Sequence, residues 1–309
     1  MFKRLLVSIV ALIVLTFLPI AKAQTVSRSA VENEAIQDKW NNAPPRKSTY
    51  AGKKSEPAPR RNISGIWDAA AEDGARQTSG AKEHVALYPG GRGSEGGHPD
   101  ETGIMRPLPY TPAGLAALKA NRPSGPSVRQ VPAATANDPA DRCDPLGFPY
   151  MELWELRTLN LVQTDNQVIL LSPFYGNYRV IWTDGRALPA DPDPRWNGYS
   201  VGKWVDDYTF VVETTGLNPK SWIDHAGRPH SDQLQVEETF HRVDHDNMEL
   251  TMKITDPKMY TEPWLTLNKF PLHLQRPDFD IPELLCSPTE MQDYNKDVGD
   301  VVLAPSGTK

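Results

Sequence analysis

The chain has 309 residues, 39% of them hydrophobic and 23% charged, the balance of a globular protein rather than a fibre, a coiled coil or a fully disordered chain. Its formal charge is −6, which argues against a nucleic-acid partner, because phosphate binding draws on clustered Lys and Arg. Pro accounts for 29 residues, close to twice the usual frequency of roughly 5%, so part of the length belongs to linkers and loops around one compact domain.

At the amino terminus Lys3 and Arg4 precede a predominantly apolar run at 5–20, and Ala21-Lys22-Ala23 supplies a small-x-small site for signal peptidase. That run is shorter than the roughly 20 residues that cross a bilayer. Residues 1–23 therefore read as a cleaved signal peptide, and the protein as periplasmic or secreted, with no stable membrane insertion after cleavage. Removing them takes away Lys3, Arg4 and Lys22 and no acid, which leaves a charge of −9.

Residues 24–60 are polar, charged and Pro-bearing. They bury too little to offset the entropy of ordering, and read as a disordered arm. Residues 61–295 read as one β domain, and 296–309 as a flexible tail. Within the domain, 61–149 is a loop-rich lead-in with an apolar burst at 62–68 and one helix, where Thr111 is the N-cap and Pro112 the first helical residue.

From about 150 the pattern changes to period two. An apolar strand at 168–171 is followed by one at 178–183 that ends in an Asp184-Gly185 turn. The segment 204–213 reads as a hairpin turning on Asp206-Asp207, and 234–242 with 248–255 as another turning through 244–247. Met248, Leu250, Met252 and Ile254 share one face of the last of these strands. Short strands without intervening helices predict a mainly β fold, an antiparallel meander closing into a calycin-like or lipocalin-like barrel.

Export gives meaning to the two cysteines, because an oxidising compartment favours their closure. Neither lies in a CxxC or beside a His, so a Cys143–Cys286 disulfide is expected rather than a metal or catalytic thiol.

One ordered set of motifs runs through the domain: Ser64-Gly65-Ile66-Trp67, Cys143-Asp144-Pro145-x-Gly147-x-Pro149, Thr183-Asp184-Gly185-Arg186, Gly198-x-Ser200-x-Gly202-x-Trp204, His230-Ser231, and Asp256-Pro257-x-x-Tyr260-x-x-Pro263-Trp264. Over 62–295 this set resembles a family of exported, uncharacterised bacterial proteins common in soil bacteria. The resemblance implies export, the disulfide and a single β domain, and carries no activity with it. The chain departs from that family at Val205-Asp206-Asp207-Tyr208, where a Glu-Gly-Asp-Thr turn is usual, and at Glu238-Thr239, where Glu-Arg is usual.

Chemistry has to come from constellations. In Leu234, Val236, Glu238, Phe240 and Arg242 one strand face is apolar except for two charges. If that face looks inward, Glu238 must find a cation or take up a proton; it forms a structural pair with Arg179 or Arg242, or it anchors a ligand or acts as a base. The opposite facing would place Glu237 inside. The loop 222–231 gathers Trp222, Asp224, His225, His230 and Ser231, the kind of loop that forms a site at a barrel mouth, although Asp224 and Ser231 also suit turn capping. Glu238, His230 and Asp224 are the candidate catalytic groups.

Trp204, Trp222, Arg179, Tyr260 and Trp264 are the candidate ligand contacts; Trp182 and Trp196 lie in the same half. No His, Cys or carboxylate spacing fits a zinc site or an EF-hand, and no nucleotide fingerprint is present, so neither metal nor cofactor is expected. Three functions fit. The first is an exported barrel binding a small apolar or aromatic ligand in its interior. The second is a proton-transfer or hydrolytic enzyme using Glu238 and His230, and the third a cell-envelope interaction module without a pocket.

Overall fold

The computed structural model describes residues 54–69, 97–99, 105–124, 131–153, 158–173, 175–275, 279–281 and 283–299. The signal peptide, the arm up to 53 and the tail from 300 lie outside the described residues. Eleven strands follow in chain order: β1 Gly65–Ala69, β2 Gly97–Pro99, β3 Met105–Pro107, β4 Leu159–Gln163, β5 Gln167–Leu171, β6 Tyr178–Trp182, β7 Tyr199–Trp204, β8 Thr209–Thr215, β9 Gln235–Arg242, β10 Asn247–Thr255 and β11 Trp264–Leu274. Three short helices are α1 Pro112–Ala120, α2 Tyr150–Leu153 and α3 Pro288–Tyr294. Strands β4 to β11 and β1 close a barrel, and β2 pairs with β3 in a separate ribbon.

The mainly β barrel agrees with the period-two pattern. On β10, Met248, Leu250, Met252 and Ile254 are at most 1% exposed, the inward set that the alternation predicts. Both predicted hairpins form. Asp206 accepts from the backbone N–H groups of Tyr208 and Thr209 at the β7–β8 turn, and Asp244 accepts from those of Asp246 and Asn247 at the β9–β10 turn. These short carboxylates hold the turns by bonding their own backbone two or three residues on. Thr111 caps α1 through the N–H of Gly114 at 3.0 Å.

Closure depends on β1, which pairs with β4 on one side and β11 on the other. Trp67 points inward with no exposure and donates its indole N–H to Ile63 at 3.0 Å. Gly65 has φ +142°, and a Cβ there would lie 2.4 Å from the side chain of Leu274. Any larger residue would strain the backbone there and force the Leu274 side chain aside.

The meander differs from the expected one at a single seam. Strands β6 and β7 run parallel, paired at Ile181–Ser200 and Trp182–Val201. A parallel neighbour needs a crossover of a dozen or more residues, and 183–198 supplies it, with Pro189, Pro192 and Pro194 preventing it from forming strand of its own.

The lead-in also differs. The continuous run of barrel strands starts with β4 at Leu159 rather than at 150, and Leu146, Phe148, Tyr150, Met151 and Leu153 are at most 1% exposed and join the barrel core. At the other end, His245 N–H donates to Glu56 O at 2.8 Å, Asp246 N–H to Ser55 Oγ at 3.1 Å, and Arg60 pairs with Asp207 at 2.7 Å. Residues 54–60, assigned to the arm by composition, thus lie against two barrel turns.

The disulfide is formed between Cys143 and Cys286, with Cα atoms 5.4 Å apart. Among the described residues no helix is long and apolar enough to cross a membrane.

Candidate functional site

Glu238 lies inside the barrel with no exposure, as the β9 alternation predicts. Its partner is Arg179 on β6, whose Nη2 donates to Glu238 Oε2. The same guanidinium donates through Nη1 to Glu152 Oε1 at 2.7 Å, through Nε to Ser200 at 3.0 Å and through Nη2 to Thr214 at 2.8 Å. It lies 3.7 Å from the centre of the Phe148 ring. Two carboxyls therefore face one cation. Burial and the nearby Glu238 charge push the Glu152 carboxyl well above the usual range, against the pull of Arg179. A Glu152 carboxyl held that high favours its neutral form beside the ion pair of Arg179 with Glu238. Burial opposes the Arg179 charge, but Glu238 and Glu152 together hold it above its ordinary value.

The other two candidate catalytic residues are placed elsewhere. His230 shares Nε2 with Ser221 Oγ at 2.9 Å, and its Nδ1 is 3.0 Å from the carbonyl of Ser231. A carbonyl only accepts, so Nδ1 carries the proton and Nε2 accepts from Ser221. Burial pushes this imidazole down, and it is neutral. Asp224 pairs with Arg228 at 2.5 Å and caps the N–H of Ala226 at 3.0 Å. Ser231 is bound to Asp256 at 2.7 Å. Among the described residues Glu238, His230 and Asp224 have no partner in common and form no Ser-His-Asp relay.

A second buried cluster joins Asp138, Tyr150 and His225. Tyr150 donates to Asp138 at 2.8 Å, and His225 Nε2 lies 3.6 Å from Asp138, beyond hydrogen-bond reach. Burial pushes Asp138 up to about 7, against the N–H of Ala140 and the Tyr150 hydroxyl. Burial pushes His225 down to about 4. In the folded chain the proton is on the carboxyl; in the unfolded chain it is on the imidazole. Each state binds one proton between about pH 4 and 6.5, so this pair contributes no slope of stability with pH.

Asp138→Asn removes the compensation. His225 alone then binds fewer protons in the folded state than in the unfolded state. Its contribution is full above pH 6.5 and is lost as pH falls to about 4, a change of roughly 3 kcal/mol relative to the parent. Urea denaturation of both proteins at pH 4 and pH 7 measures it, and equal pH slopes would rule out the compensation.

Of the aromatic candidates, Trp222, Tyr260 and Trp264 are buried in the core and Trp204 is half-buried against it. Trp222 stacks on Tyr150, Trp264 packs edge-on against Tyr260, and the Tyr260 hydroxyl donates to Pro229 O at 2.9 Å. Trp204 packs against Phe210 with ring centres 5.2 Å apart. With Phe148, Phe210 and Phe240 also buried, the interior expected to hold a ligand is occupied by side chains. Among the described residues no three His, Cys, Asp or Glu side chains come together as a metal site.

A groove of about 960 Å³ opens instead on the outer face at the parallel seam. Only two residue pairs join β6 to β7, and the gap beyond them is bridged by Asn197, whose Nδ2 donates to Tyr178 O and Asn177 Oδ1, each at 2.8 Å. Because Arg179 and Ile181 point inward, Tyr178 and Trp182 point outward, and Tyr175, Trp196 and Tyr199 complete the aromatic lining. Arg186 lies over Trp182 at 3.6 Å and Arg195 over Tyr199 at 4.1 Å. The disulfide forms part of one wall, and Arg179 and Ser200 reach the floor. Gly147 seats the Trp196 segment: it has φ +70°, a Cβ there would lie 2.7 Å from Trp196 O, and Phe148 N–H donates to that carbonyl at 2.9 Å.

No family model, curated protein or solved structure matches the chain. The site must be read from its own geometry. Residues that the sequence reading did not select are Glu152, Trp182, Trp196, Tyr178, Tyr199, Arg186 and Arg195. A signal for most of them is present: β6 carries its charge inward and Tyr178, Val180 and Trp182 outward, and the long Pro-bearing connection 183–198 is of the length that carries function more often than structure.

Proposed function

We propose that this protein is an exported, calycin-like β-barrel that binds a small, flat, mostly apolar aromatic ligand, and that the ligand sits in the outer groove between β6 and β7 rather than in the interior. The observation that carries this reading is the convergence of five aromatic rings on one groove. Its volume, about 960 Å³, falls within the range of small-molecule sites. Flat rings bind flat ligands by offset stacking and apolar burial. Export rests on the amino-terminal pattern and is supported by the disulfide. The filled interior favours one second reading, an interaction module whose partner covers the same aromatic face.

Calorimetric titration with 2-naphthamide, an uncharged flat probe, tests the proposal. Binding is expected, and Trp196→Ala should weaken it about 10-fold, in keeping with the cost of removing an aromatic anchor from a site. Undiminished binding by Trp196→Ala would place the site elsewhere.

A further inference from the structure

We infer that the ligand of this groove carries a carboxylate and that Arg195 recognises it; this rests on the groove being the binding site. In a chain of net charge −6, the described residues that line the groove include three arginines and neither Asp nor Glu. Two of the three cations are already engaged. Arg179 is buried between Glu152 and Glu238. Arg186 is forked onto Asp184, with Nε 2.9 Å from Oδ1 and Nη2 2.6 Å from Oδ2.

Arg195 is different. No ion pair joins it to Asp193 or to any other acid among the described residues. Its main chain is fixed on both sides, the N–H donating to Gly216 O at 2.9 Å and the carbonyl accepting from Asn218 at 3.0 Å. Its guanidinium is laid over the Tyr199 ring at 4.1 Å. Stacking on a ring fixes the plane of the guanidinium and leaves its N–H edge free. A fixed planar fork is matched to the two oxygens of a carboxylate, and it stands at the rim of an aromatic groove. A flat ring lying in the groove, with its carboxylate at that rim, satisfies both parts of the site.

The test compares 2-naphthoate with 2-naphthamide on the intact protein, its Arg195→Gln variant and its Arg186→Gln variant. Arg195 is exposed, so the substitution leaves the fold in place. The parent should bind the naphthoate about 10-fold more tightly than the amide. Arg195→Gln should abolish that preference and leave amide affinity within about twofold, whereas Arg186→Gln should retain the preference. Raising NaCl from about 50 to about 500 mM should weaken the naphthoate alone, through screening of an exposed pair. Equal affinity of the parent for both probes, or a preference that survives Arg195→Gln, would overturn the inference while leaving the groove as the binding site. Tighter binding of 2-naphthalenesulfonate than of the naphthoate would overturn the carboxylate assignment. Failure of every probe to bind would overturn both the inference and the proposed function.

Discussion

Arg179→Met should lower the stability of the barrel by about 3 to 5 kcal/mol, the cost of leaving a buried charge without its partner. The guanidinium is 1% exposed and is the cation facing both Glu152 and Glu238, and Ser200 and Thr214 lose a donor with it. Glu238→Gln should behave quite differently. Because burial and the Glu238 charge hold the Glu152 carboxyl well above its usual range, loss of the Glu238 charge should let Glu152 ionise and take over the ion pair. The expected loss is about 1 kcal/mol, the net worth of an altered hydrogen bond. Removing both carboxyls, Glu152→Gln with Glu238→Gln, strands Arg179 and should cost as much as Arg179→Met. Urea denaturation of the three variants separates these cases. A large loss from Glu238→Gln alone would mean that the two carboxyls do not share one proton.

Replacing both cysteines by Ala should have an effect of similar size. The bond closes 143 residues of sequence, for which loss of chain entropy in the unfolded state amounts to about 5 kcal/mol. Beside the bond, Leu284 N–H donates to Pro173 O at 3.1 Å and Leu284 O accepts from Tyr175 at 2.7 Å. Because both cysteines line the groove, affinity for 2-naphthamide should fall together with stability. A double variant that matches the parent in urea would show that the 283–299 segment is held without the bond.

What the sequence disclosed and what it hid divide along physical lines. The inward sets of β9 and β10 were legible because a strand buried on one face must alternate, and a one-residue slip would expose all of Val236, Glu238 and Phe240. Hairpin turns at Asp206 and Asp244 were legible because their chemistry is local. The parallel seam was not: Asp184-Gly185 predicts a turn, but where residues 183–198 return to the sheet is decided by packing of distant residues. Glu152 was hidden for the same reason, since a four-residue helix has too few positions to show a period. The aromatic groove was hidden because composition alone does not tell an inward tryptophan from an outward one: Trp222 and Trp264, named as ligand contacts, are buried like Trp67, whereas Trp182 and Trp196 are partly exposed.

That division gives the most direct measurement of whether ligand sits outside the barrel. Indole N–H resonances of the protein, assigned by single Trp→Phe substitutions, can be followed by NMR as 2-naphthamide is added. Binding in the groove should shift Trp182 and Trp196 and leave Trp67, Trp222 and Trp264 in place. Shifts confined to the three interior tryptophans would contradict the account, because they would mean that the ligand enters the barrel.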